Sequence, residues 1–257
     1  MHSIGEKLQN FSKLLVATIA YDGSAFYGSQ FQPGRPSVLG HLRNAFACCG
    51  LFGKILCASR TDRGVHALRN VVSISLPYAP KSLETLRGQL NKHLLPHICI
   101  VSLRIAPSSF HARFCAKARL YRYIIAPHKP NVFQSRYVHF HNIHDSERIA
   151  HAIRIFEGIH DFTFFAKQNE KSTIQSIYKT CTFWWNHCFV LSFLARGFLH
   201  SQIRFITQAL LLLDSGQLTF AQLQQQLATT KRYTCNLAPP NGLYLCRVYY
   251  ELGDIGA

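Results

Sequence analysis

Ile55-Leu56-Cys57-Ala58 and Val71-Val72-Ser73-Ile74-Ser75-Leu76 are apolar runs rich in strand formers, and between them lies Ser59-Arg60-Thr61-Asp62-Arg63-Gly64-Val65-His66. The pattern predicts two strands joined by a polar loop. Asp-Arg-Gly is ordinary turn chemistry, with the glycine supplying positive φ and the aspartate bonding its own backbone. The same residues also read as one carboxylate, Asp62, held in basic surroundings by Arg60 and Arg63. Taken alone, the fragment favours the turn.

Outward from that loop the chain alternates strands and helices. Residues 14–21 predict a strand, followed by a Gly/Pro-rich loop from Asp22 to Pro36. Ser37 caps a helix with Leu39, Leu42, Phe46 and Cys49 on one face, and Gly50 ends it. Residues 82–94 predict a second helix through Leu83, Leu86, Leu90 and Leu94, and residues 97–105 a strand. Ala106-Pro107-Ser108-Ser109 reads as a connection. Beyond it come a strand at 117–126 and a helix capped by Asp145 with Ile149, Ile153 and Phe156 inward and Gly158 at its end. Strands follow at 174–184 and 188–195, then a long helix at 198–215 closed by Gly216. Thr219 and Gln222 make a capping box for a short helix, and residues 243–251 form the last strand. The implied fold is α/β of the α+β type. It has two lobes, residues 1–106 and 107–257, each a mainly antiparallel sheet with helices on one face, and a cleft between them.

The chain has 257 residues, with 28 Lys and Arg against 12 Asp and Glu, a formal charge of +16. The excess comes from scarce acids, and the basic residues are spread along the whole sequence. A folded surface that neutralises phosphates fits this better than a basic tail, so the expected partner is a polyanion. No apolar run reaches the length of a membrane span, Arg204 interrupts the nearest candidate, and residues 1–7 carry no apolar signal core. The expected setting is therefore cytoplasmic, without membrane attachment. The nine cysteines are odd in number and contain no C-x-x-C pair, so they read as reduced core residues rather than disulfides or a zinc site. His139, His141 and His144 fit an exposed polar strand better than a metal site. A zinc nucleobase deaminase is excluded by the lack of H-x-E and P-C-x-x-C.

In the segment from Phe110 to Tyr123 aromatic and basic residues interleave. On the strand, Tyr121 and Tyr123 share one face while Arg119 and Arg122 point to opposite faces. Rings that stack on an unpaired base beside guanidinium groups that hold phosphate suit splayed-out RNA. Tyrosines packed inside a sheet with bonded hydroxyls are the equal alternative.

Tyr21-Asp22-Gly23-Ser24, Arg60-Thr61-Asp62 with Gly64-Val65-His66-Ala67, Phe110-His111-Ala112-Arg113-Phe114, Tyr121-Arg122-Tyr123, Asp161-Phe162-Thr163 and Gly242-Leu243-Tyr244-Leu245 occur in this order along the chain. In this, from about Leu14 to Tyr250, the sequence resembles the tRNA pseudouridine synthase A family. The resemblance implies an isomerase, working as a homodimer without a cofactor, that converts uridine to pseudouridine at positions 38, 39 and 40 of the tRNA anticodon stem-loop. It implies Asp62 as catalytic nucleophile, Tyr121 as the residue that stacks on the substrate base, Leu245 as a further substrate contact, and Arg204 as the partner of the aspartate. By periodicity alone, Arg204 would instead snorkel from an apolar helix. Arg60 reads either as a phosphate contact or as a member of a loop salt bridge. Ser29, Ser59, Arg63, Arg69-Asn70 and Phe205 depart from the family pattern. The rival reading is an RNA-binding protein or tRNA chaperone whose catalysis has lapsed.

Overall fold

The computed structural model describes residues 13–76, 80–167 and 172–251. The N-terminal residues 1–7, expected to lack a signal core, lie outside them. Strands β1 (Lys13–Tyr21), β2 (Ile55–Cys57), β3 (His66–Leu76) and β4 (Ile98–Ala106) come from the first part of the chain, with helices α1 (Val38–Cys48) and α2 (Leu83–Leu94). The second part supplies β5 (Ala118–Ala126), β6 (His139–Phe140), α3 (Ser146–Ala152), β7 (Gly158–Asp161), β8 (Ile174–Trp185) and β9 (Cys188–Ala195). Helices α4 (Gln202–Asp214) and α5 (Phe220–Leu227) and strand β10 (Leu243–Tyr249) follow.

All the strands join one sheet in the order β4-β1-β3-β10-β5-β9-β8-β7, with β2 paired to β3 and β6 to β5. The mixed α and β architecture agrees with the alternation in the sequence, but a separate sheet for each half does not form. Strand β10 returns to the middle and lies parallel to β3 through Tyr244 opposite His66 and Leu245 opposite Ala67, and antiparallel to β5. It thereby welds two antiparallel halves into a single sheet. The core is likewise continuous, running from Leu15, Ile19 and Ile74 to Phe193, Ile206 and Leu245.

Local chemistry accounts for the helix ends. Ser37 and Ser82 accept backbone N–H bonds as N-caps, Asp145 does the same for α3, and the Thr219–Gln222 capping box is formed. Gly50 and Gly216 follow α1 and α4 with φ of +71° and +73°, a conformation that costs glycine nothing. After α3 the chain tightens into a 3₁₀ turn at Ile153–Phe156, so Ile149, Ile153 and Phe156 all reach the core. Helix α4 begins at Gln202 rather than Phe198, because Ser201 adopts a left-handed conformation that a helix cannot continue through. Ten of its thirteen residues are buried, which makes α4 a central support, and Arg204 is one of the three that are not fully buried.

The cysteines are all free, but they are not mainly core residues: only Cys246 is buried, and Cys48, Cys181 and Cys235 are exposed. Cys48 on α1 and Cys181 on β8 sit at outward positions of their elements, and Cys235 lies in a loop. Among the described residues no helix is long and apolar enough to cross a membrane, and no three His, Cys, Asp or Glu side chains are gathered to hold a metal ion. His141 is instead committed to the buried Asp214 at 2.9 Å.

Candidate active site

Asp62 lies on the loop between β2 and β3, and that loop is tied at nearly every residue. The Ser29 N–H donates to the Thr61 carbonyl at 3.0 Å, and the Thr61 N–H donates to Ser29 Oγ at 2.9 Å. The hydroxyls of Tyr21 and Thr61 bond at 2.8 Å. The buried Asn70 amide donates to the Ser59 carbonyl at 2.9 Å and to the Tyr21 hydroxyl at 3.2 Å, while its oxygen accepts from the Val71 N–H. Burial raises the Tyr21 pKa far above its ordinary value, so its hydroxyl stays neutral and available to both partners.

The loop after β1 presses against the same segment, backbone to backbone. A Cβ on Gly23 would sit 2.1 Å from the Val65 carbonyl oxygen, and Gly28, at φ +103°, would meet the Thr61 oxygen at 3.0 Å. His66 closes the far end. Its Nδ1 accepts from the Gly23 N–H at 3.1 Å, which requires the proton on Nε2, and Nε2 lies 3.0 Å from the Arg136 carbonyl. The ring stacks on Tyr244 with centroids 4.8 Å apart, and burial lowers its pKa.

The other half of the site comes from the start of α4. The Ser201 hydroxyl donates to Asp62 Oδ2 at 2.6 Å, and Arg204 Nη1 reaches the same oxygen at 3.3 Å. His200 Nε2 lies 3.3 Å from Oδ1. Arg204 is fixed in turn, since its Nε donates to the Ala238 carbonyl at 2.7 Å. Asp62 keeps 23% of its side-chain surface exposed, so the carboxylate is both paired and reachable. A carboxylate paired with a guanidinium yet open to solvent has the placement that covalent catalysis by an acid requires.

Tyr121 stands next to this pair on β5. Its hydroxyl bonds Ser59 Oγ at 2.8 Å, and Phe198 packs edge-on with ring centroids 5.3 Å apart. Burial pushes its pKa up to about 12, and the ring is only 6% exposed. Leu245 is fully buried, in register between Ala67 of β3 and Tyr121 of β5. It forms part of the floor under the tyrosine. Arg60 is exposed, and no hydrogen bond or ion pair fixes it among the described residues.

The two arginines of the tyrosine strand are both engaged within the protein. Arg119 is buried and turned inward, bonding the carbonyls of Ala58 at 2.8 Å, Arg113 at 2.9 Å, and Arg196. It ties three loops around the site. Arg122, on the opposite face, lies over the Phe183 ring at 5.2 Å. Arg63 does face outward, packed on Tyr27 at 4.3 Å with Arg35 on the same ring at 4.9 Å.

The structure thus brings Asp62, Arg204, Tyr121 and Leu245 together and leaves Arg60 at the rim. Sequence reasoning missed Ser201, His200 and the structural work of Ser29, Ser59 and Asn70. The signal for the last three was there, because each departs from the family pattern. Nothing in the residues around Ser201 marked it.

Residues 152–251, which include α4 and β10, match the model of a protein family described as tRNA pseudouridine synthase. Over most of its length the chain is also similar to curated proteins named tRNA pseudouridine synthase A. That of Wolinella succinogenes is 38% identical over 239 residues, covering 92% of this chain and 94% of the relative. That of Helicobacter hepaticus is 37% identical over 243 residues, with 91% and 98% covered. That of Campylobacter jejuni strain RM1221 is 36% identical over 233 residues, with 90% and 97% covered.

Proposed function

We propose, on the premise that the chain belongs to the tRNA pseudouridine synthase A family and is an isomerase acting on tRNA, that Asp62 is its nucleophile and that its targets are the uridines at positions 38, 39 and 40 of the anticodon stem-loop. The observation that carries the reading is the Asp62 carboxylate, partly exposed and held between Ser201 and Arg204. A tRNA-binding protein without catalysis has no need to keep a charged acid in an RNA-binding surface, where it repels phosphate.

The reaction breaks the bond from C1′ to N1 of uracil and makes one from C1′ to C5. C5 loses a proton and N1 gains one, so the product is an isomer. A carboxylate that forms a transient covalent bond holds one fragment while the base turns. The target nucleotide must leave its stack to reach Asp62, at a cost of a few kcal/mol that stacking on an aromatic ring offsets in part. Tyr121 is that ring in this reading, and because Phe198 packs edge-on against it, docking of the base requires Phe198 to shift. Its hydroxyl is neutral at working pH and stays bonded to Ser59, which holds the outer end of the side chain in place. Leu245 supports the tyrosine from below, and Arg60 is placed for a backbone phosphate. The positive charge of the whole chain draws in the polyanion. Homodimer formation and a cytoplasmic setting belong to the same proposal.

Release of tritium from [5-³H]uridine-labelled tRNA tests it. The wild type releases tritium, and Asp62→Ala releases none while still binding tRNA. Equal release by both proteins removes Asp62 from the mechanism, and a wild type silent on every tRNA leaves the binding-protein reading.

A further inference from the structure

Ser201 is one of four described non-glycine residues with positive φ, and it holds φ +60°, ψ +13° at the start of α4. A serine in that place ordinarily adopts an extended backbone and gives its side-chain oxygen to an N–H of the first turn. This one makes no cap bond. Its hydroxyl turns away from the helix and donates to Asp62 Oδ2 at 2.6 Å, the shortest contact that the carboxylate makes. At the helix start the Gln202 N–H donates to the Leu199 carbonyl, and the Gln202 side chain accepts from the Leu199 N–H. The hydroxyl caps no N–H of the helix, and a strained backbone is retained where the acid receives the bond.

We infer that Ser201 is a positioning residue for the nucleophile, a role that rests on the proposed part played by Asp62. With Arg204 it anchors Oδ2, which fixes the carboxylate rotamer and leaves Oδ1 as the oxygen that attacks. Oδ1 lies 3.3 Å from Nε2 of His200, a side chain that is half exposed. The carboxylate is thus pre-oriented from behind and approached from the front.

Three substitutions separate this from a structural role. Ser201→Gly keeps the left-handed backbone, relieves its strain and removes the donor. Ser201→Ala removes the donor and keeps the strain, whereas Ser201→Asn tolerates the conformation and restores an N–H donor. Tritium release should fall about ten- to one-hundred-fold in kcat for the glycine and alanine variants, as loss of a hydrogen bond to a charged group implies. KM for tRNA should stay within about twofold, because the hydroxyl touches the acid and not the RNA. The Asn variant should recover most of the loss, and the glycine variant should melt no lower than the wild type. A glycine variant with wild-type kcat overturns the role of Ser201, as does a loss of kcat that tracks a lowered melting temperature in all three. Asp62→Asn run beside them keeps the two readings apart. If it is inactive while Ser201→Gly is fully active, only the serine's role fails, and if it is itself active, the nucleophile assignment fails first.

Discussion

The loop that carries Asp62 and the helix tip that meets it are held by different forces. The loop is fastened by side chains bonded to fixed backbone atoms, with Ser29 on Thr61, Asn70 on Ser59, and Gly23 and Gly28 lying against the chain. The tip of α4, with His200, Ser201 and Arg204, projects from a helix held by burial of Ile203, Phe205, Ile206 and Leu210. Hydrogen bonds fix direction, and packing fixes position but leaves polar side chains at its margin free for chemistry. The acid therefore depends on its loop for place and on the helix for charge. The two regions should fail differently when altered.

The largest separation is expected at Arg204. Arg204→Ala should lower kcat for tritium release about one-hundred- to one-thousand-fold by leaving Asp62 without its counter-charge, a loss far beyond the fall in melting temperature that stranding the buried Ala238 carbonyl brings. Arg204→Lys should recover only part, because a single ammonium cannot bond the Ala238 carbonyl and Asp62 in the fixed fork that the guanidinium supplies. Near-normal turnover in the alanine variant would erase the division between the two regions.

On the loop side the order of effects reverses. Asn70→Ala should cost about 2–3 kcal/mol in urea unfolding, since it strands the Ser59 carbonyl and the Val71 N–H in a buried place. Its loss of activity should follow from the loosened loop. Stability unchanged in this variant, with activity lost, would make the network a catalytic device and break the contrast.

A further difference shows in the response to pH. Burial holds His66 below its ordinary value and takes His139 down to about 4. Both are thus more readily protonated in the unfolded chain, near pH 6.5, than in the folded one. The unfolded state binds more protons, so stability is complete above about pH 6.5 and declines as the pH falls toward about 4. Melting curves across that range should show the decline, and His139→Gln should flatten it without touching the bond from Gly23 to His66. A melting temperature that rises on acidification would show the opposite linkage.

Much of this was legible in the residues because local chemistry decided it. The caps at Ser37, Ser82, Asp145 and Thr219 and the strands on either side of Asp62 are written in neighbouring residues. That Asp62 meets Arg204, with Tyr121 close by, was legible through the family resemblance of residues far apart in sequence. What could not be read was the outcome of long-range geometry. Arg119 looks like an RNA contact until the carbonyls of Ala58, Arg113 and Arg196 converge on it. Strand β3 starts at His66 because β10 lies beside it there, a partner almost 180 residues away in sequence. Ser201 was hidden for the same reason, since an αL backbone and an acid 139 positions distant leave no periodic trace.

The placement of β10 also has a bearing on how the molecule is made. It is the last described strand in sequence and yet occupies the middle of the sheet, next to the loop that carries Asp62. A growing polypeptide that has yet to deliver residues 243–249 can pair β1, β3 and β4 at one end and β5, β9 and β8 at the other, but it cannot join them. Such late, non-local closure is the slow part of assembling a β-rich topology. Until it happens, Tyr121 has no floor, and the acid has no fixed distance to its arginine. Half-made chains that already carry the positive charge to attract RNA would lack the means to alter it.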